Sequence, residues 1–171
     1  NDETEAQARG LQAVLNIPVT YCMRYTEPFV YGAHELLESR GVTRLIVLPL
    51  YPQYSHSTTM SAQVDFLDNR GGHIPYRFIQ QHYNHPDYIG SLASLLNQSL
   101  EKMQIDHKSA VLFAAHSIPL KQVRQGDPYV DQIRETVRLT VEKSGMDVPH
   151  SLGFQSRIGP VKWQGPTLTE E

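Results

Sequence analysis

Five short runs of β-forming residues alternate along this chain with stretches of helical periodicity, and that alternation restricts its fold more than any other feature. Residues 18–25 (PVTYCMRY), 44–50 (RLIVLPL), 76–82 (YRFIQQH), 110–115 (AVLFAA) and 151–156 (SLGFQS) read as strands. Helical patterns occupy 2–15, 29–40, 58–70, 86–104 and 128–144. Within 86–104, Ile89, Leu92, Leu95, Leu96, Leu100 and Met103 form one apolar stripe. Pro28, Pro86 and Pro128 stand at helix starts, where a missing N–H costs nothing. Gly41, Gly71, Gly72 and Gly145 follow helices, the position of left-handed caps. Strand, helix and strand joined by short links imply right-handed crossovers and a parallel sheet, hence an α/β fold. Ligands of such sheets bind beyond the carboxyl ends of the strands. Three of the runs end in polar groups: Arg24 and Tyr25, then residues 51–57 (YPQYSHS), then His116 and Ser117.

Composition narrows the chemistry. The 171 residues, 40% of them hydrophobic, suffice for one ordinary core or for parts of two. A net charge of -3 offers no basic surface for nucleic acid. Cys22 is the only cysteine, which fits a reducing compartment and cannot alone hold a zinc or iron–sulfur site. The longest apolar run, 45–50, contains Pro49 and falls far short of the roughly 20 residues of a membrane span. The acidic N-terminus is the opposite of a signal peptide, so a soluble, cytoplasmic protein is expected. Neither a dinucleotide fingerprint nor a phosphate-binding P-loop is present in the sequence.

His116 follows an apolar run, so a strand's end would carry it into the ligand crevice. An imidazole with its ordinary pKa of roughly 6.5 accepts a proton or binds a metal near neutrality. A hydrogen-bonded loop histidine is the alternative reading. His82 and His85 are three apart, but Pro86 and the surrounding loop pattern point to a solvated loop rather than a metal pair. His34 reads as a helix-surface residue, and His73, His107 and His150 as residues of polar connections. In residues 51–59, Tyr51 and Tyr54 offer flat faces to an aromatic ligand. Ser55, Ser57, Thr58 and Thr59 offer hydroxyls and a helix start suited to a carboxylate, although taken alone plain turn-and-cap chemistry is the better account of them. Arg24 is suited to a ligand carboxylate or to an acid of a neighbouring domain. Asp127 reads as an N-cap, and Trp163, between Pro160 and Pro166, as a packing anchor or a pocket wall.

Together these segments resemble one family, the ferrochelatases. Residues 48–59 (LPLYPQYSHSTT) resemble its loop PLYPQYS-x-STT, and residues 113–119 (FAAHSIP) its catalytic-histidine motif. Residues 126–129 (GDPY), residues 155–160 (QSRIGP) with Trp163, and residues 23–25 (MRY) with Pro28 follow that family's other signatures in order. The resemblance implies two similar Rossmann-like domains of the chelatase type with a porphyrin cleft between them. Residues 1–52 would be the C-terminal part of the first domain, and 53–171 the N-terminal and central part of the second. It implies that the protein inserts ferrous iron into protoporphyrin IX in heme biosynthesis. His116 would be the catalytic, metal-facing residue. Arg24 and Tyr25 would line the pocket, Tyr51 and Tyr54 its wall, Ser55 and Ser57 would lie near a propionate, and Trp163 would be a pocket aromatic. Arg24, Tyr51 and His116 would then approach one cleft.

Iron and protoporphyrin are implied as substrates, with no tightly bound cofactor, and peripheral membrane association is compatible with the family. Gln164 replaces the usual leucine. His56 stands where several members carry a cysteine ligand of a [2Fe–2S] centre, so no cluster is expected here. The chain is expected to be an internal piece, without the family's glycine-rich first strand and without its essential glutamate. The rival readings are a chelatase for another tetrapyrrole or metal, which the STT loop and the Trp163 segment disfavour, and a non-catalytic tetrapyrrole-binding module.

Overall fold

The computed structural model describes residues 2–103 and 108–169, so Gln104 and His107 lie outside the described residues. The elements are α1 (Asp2–Val14), α2 (Val30–Ser39), β1 (Leu45–Val47), α3 (Ser61–Asn69), β2 (Tyr76–Phe78), α4 (Pro86–Met103), β3 (Val111–His116), α5 (Leu120–Arg124), α6 (Tyr129–Ser144) and β4 (His150–Gln155). A five-residue π-helical turn, His56–Met60, precedes α3. The strands pair in parallel, as the alternation requires: β1 on β2 with Leu45 opposite Tyr76, and β3 on β4 with His116 opposite Gln155. The chain is therefore α/β with parallel sheets.

It divides into two compact units. The first comprises residues 1–50 and 57–80, and the second residues 51–56 and 81–171. A single boundary at 52 would have assigned 57–80 to the second part; by contact they group with the first fifty residues. In the first unit Val30, Leu45, Phe66 and Ile74 form the core, and Phe66 meets Tyr76 edge-on at 5.1 Å between ring centres. In the second, Ala115, Ile118, Val130 and Phe154 form the core, with Ile133 and Leu152 packed against it. α4 buries Ile89 of the expected stripe together with Ala93, whereas Leu95 and Met103 of that stripe are exposed, and Asn97 reaches the carbonyl of Ser144 at the end of α6.

Three expectations are corrected. Residues 18–25 form no strand: Pro18 lacks a donor, and Met23 N–H bonds back to the carbonyl of Pro28, so the segment closes on itself instead of pairing along a sheet. Gly41 and Gly145 are left-handed caps, but Gly71 and Gly72 are not among the residues with positive φ. They serve close approach, since a β-carbon would lie 2.7 Å from the Tyr31 ring at Gly71 and 2.6 Å from His34 Cε1 at Gly72. His34 is not a surface residue. It is 3% exposed, and neither ring nitrogen has a hydrogen-bond partner among the described residues. No helix among the described residues is long and apolar enough to cross a membrane.

Candidate active site

β3 carries an apolar side into the second core through Ala115 and releases His116, which is exposed, at its carboxyl end. The backbone after it is pinned. Ser117 N–H donates to the carbonyl of Gln155, and Ser117 Oγ to the carbonyl of Gln164, at 2.7 and 2.8 Å. Gln164 N–H returns to the carbonyl of Ile118, Leu120 N–H bonds the carbonyl of Lys162, and Pro119 pairs with Trp163 as an antiparallel bridge. The strand end is thus fixed while its imidazole stays accessible, an arrangement suited to proton transfer. The Trp163 indole N–H is buried without an acceptor among the described residues. It is a donor that a polar group of a ligand could satisfy.

Behind β3 lies a cavity of about 310 Å³ whose lining includes Gln53, Tyr88, His116, Tyr129 and Thr136. Burial pushes the Tyr129 phenol up from its ordinary pKa, and a polar contact with the His116 backbone acts the other way. Burial likewise raises the Tyr88 phenol, opposed by a hydrogen bond with the Gln53 side chain. Both phenols are therefore neutral donors near pH 7.

The loop carrying Gln53, Tyr54, Ser55 and His56 is held from α6 and the turn before it. Gln53 Nε2 donates to Thr136 Oγ1 at 3.0 Å, and Tyr54 N–H to Gln132 Oε1 at 2.7 Å. Ser55 Oγ and His56 N–H both donate to Asp127 Oδ2 at 2.8 Å. Asp127 Oδ1 accepts Tyr129 N–H at 3.0 Å, but the N-cap of α6 is Pro128, so Asp127 acts from one position before the cap expected of it. The same carboxylate therefore joins the start of α6 to a loop more than 70 residues away in sequence.

Of the residues expected at the site, His116, Tyr51, Tyr54, Ser55 and Trp163 belong to the second unit, and Arg24, Tyr25 and Ser57 to the first. Tyr51 is exposed, and Tyr54 is half-buried with its ring edge-on to His56 at 6.0 Å. Ser55 is 1% exposed, with its hydroxyl directed to Asp127. In the first unit the Arg24 guanidinium lies 4.9 Å from the centre of the exposed Tyr25 ring. Ser57 is exposed. Sequence reasoning missed Gln132 and Thr136. Their only local signal is the spacing of Gln132, Thr136 and Thr140, four apart on one face of α6, all buried.

The chain matches the family described as Ferrochelatase over residues 1–171. Ferrochelatase of Geotalea uraniireducens is 39% identical over 172 residues, covering 98% of this chain and 54% of that protein. Ferrochelatase of Geobacter metallireducens is 39% identical over 174 residues, with the same coverage of 98% and 54%. Ferrochelatase of Aquifex aeolicus is 38% identical over 175 residues, covering 99% of this chain and 55% of that protein. The chain spans about half the length of the curated relatives it matches.

Proposed function

This chain belongs to the ferrochelatase family, and on that premise we propose that its protein inserts ferrous iron into protoporphyrin IX, with His116 as the acid–base residue facing the ring centre. The observation that carries the reading is an exposed histidine at the carboxyl end of a parallel strand, sharing a cavity with Gln53 of the PQYS loop. Insertion requires two pyrrole N–H protons to leave while the planar ring bends to expose its nitrogen lone pairs. A neutral His116 takes up one of the two protons and lies next to the arriving metal, while the other leaves to solvent. A pocket that fits the bent ring better than the flat one lowers the barrier to both.

Tyr51, Tyr54 and Trp163 supply aromatic faces for the macrocycle, and the family resemblance assigns Arg24 and Tyr25 to porphyrin binding as well. Ser57 offers a hydroxyl toward a propionate. Ser55, bonded to Asp127, supports the same wall from within. Iron enters as substrate. No [2Fe–2S] centre is part of this proposal, because His56 stands where cluster-bearing members place a thiolate. A cytoplasmic location, with peripheral attachment to a membrane, is the cellular setting proposed.

The test is an anaerobic insertion assay on the full-length protein, offering protoporphyrin IX with ferrous iron and sirohydrochlorin with cobalt or nickel. Iron protoporphyrin as the preferred product supports the proposal. Preference for the second pair would reassign the substrate, and tight porphyrin binding without insertion would make the protein a carrier.

A further inference from the structure

The second unit buries a line of polar side chains where an amphipathic helix ordinarily buries apolar ones. Asp127, Gln132, Thr136 and Thr140 are 5%, 7%, 7% and 3% exposed. Burying that many polar groups is costly unless each has a partner, and the partners are specific. Gln132 and Asp127 accept the backbone N–H groups of Tyr54 and His56, and Asp127 also takes the Ser55 hydroxyl. Thr136 accepts from Gln53. Four consecutive loop residues are therefore each tied to one line of side chains, and Gln53 faces the cavity that His116 also lines. Gln132 Nε2 in turn donates to Gln81 Oε1 at 2.6 Å, which fixes the orientation of its amide.

We infer that Gln132 and Asp127 are positioning residues that set the loop of Tyr51 and Tyr54 relative to His116, acting on the reaction through that loop without touching the porphyrin. The inference rests on the proposed reading of His116 and this loop as one site. The demand on position 127 is strict. All three groups bonded to its carboxylate are donors, so an asparagine would turn its own N–H groups against at least one of them. Thr140 provides the contrast. It is as buried as the others, but among the described residues its hydroxyl bonds the carbonyl of Thr136 within its own helix and no loop residue.

The experiment compares Q132A, D127N and T140V in the full-length protein, normalised to folded protein. Amide exchange at Tyr54 should quicken roughly 2–10-fold in Q132A, which loses its acceptor, and in D127N by a similar factor at His56 or at Tyr129, whichever N–H meets the new amide nitrogen. The kcat for iron insertion should fall roughly 10–100-fold in both, since a small misplacement of reacting groups is costly. The Kd for protoporphyrin, read by fluorescence quenching, should stay within about threefold, because ring burial supplies most of the binding. T140V should lose stability while keeping its kcat. Q132A and D127N turning over as fast as T140V, or unaltered exchange at Tyr54 in Q132A, would overturn the inference. A wild-type protein that inserts no iron would overturn the functional reading, and the positioning role with it.

Discussion

His116 is exposed, yet its neighbours Ala115 and Ser117 are 8% and 7% exposed. Its side chain contributes little packing, so His116→Ala should leave the thermal midpoint of the full-length protein almost unchanged. Iron insertion should fall about 10²–10⁴-fold, the usual cost of losing a general acid–base group. A folded variant that retained near wild-type turnover would remove His116 from the mechanism. His82 carries a different prediction. It stacks edge-on to Tyr88 at 5.6 Å, and its Nδ1 is buried. Burial, and secondarily the neighbouring His85, pull its pKa below the ordinary histidine value. The folded state then binds a proton less readily than the unfolded state, whose His82 titrates near roughly 6.5. The stabilising effect is fully present above that value and is lost as pH falls through the lower folded one. Thermal midpoints measured from about pH 7.5 to about pH 5 should decline, and His82→Gln should flatten the decline. An unchanged slope in that variant would assign the acid sensitivity to other groups.

β4 has one position that admits no side chain. A β-carbon on Gly153 would lie 2.6 Å from Leu168 Cδ2 and 3.0 Å from the Leu168 Cα. The segment passes so close because Phe154 N–H bonds the carbonyl of Pro166 and Phe154 bridges to Thr167. Gly153→Ala should therefore cost about 1–3 kcal/mol, the range for overpacking, measured as a shift in denaturant midpoint at unchanged slope. The helices were legible because their signals are local. The stripe and Pro86 of the 86–104 pattern give α4 at Pro86–Met103, and Pro128 with Gly145 brackets α6 at Tyr129–Ser144. Strands depend on partners, and here the pattern overreached: residues 44–50 and 76–82 pair only over Leu45–Val47 and Tyr76–Phe78. The start of the 58–70 pattern is a π-helical turn, His56–Met60, with α3 following from Ser61. At the candidate site, His116 was legible from the apolar run before it. The roles of Gln132 and Thr136 were not, because their loop partners lie 78 and 83 residues away and no local pattern encodes that distance.

Each unit has its own apolar cluster, and the residues of the two do not overlap. Phe154 is 2% exposed and is the bulkiest of the fully buried side chains; it packs in the cluster with Ala115, which directly precedes His116. Phe66, 7% exposed, has the corresponding place in the first unit, against Tyr76 and Phe78. Truncating either to alanine should cost about 3–5 kcal/mol, the lost transfer energy plus the cavity left behind. The consequences should differ in location, since local opening follows cooperative clusters. Phe154→Ala should speed amide exchange first in β3, β4 and α6, and so loosen the strand end that carries His116. Phe66→Ala should act first on β1, β2 and α3. Hydrogen exchange followed by mass spectrometry separates the two patterns, and identical maps from both variants would show a single cooperative core instead of two. If the maps differ, the effect on iron insertion becomes informative too. Phe154→Ala should reduce it by disturbing His116 and the loop bonded to α6. Phe66→Ala should reduce it less, because its cluster contains neither His116 nor the loop bonded to α6.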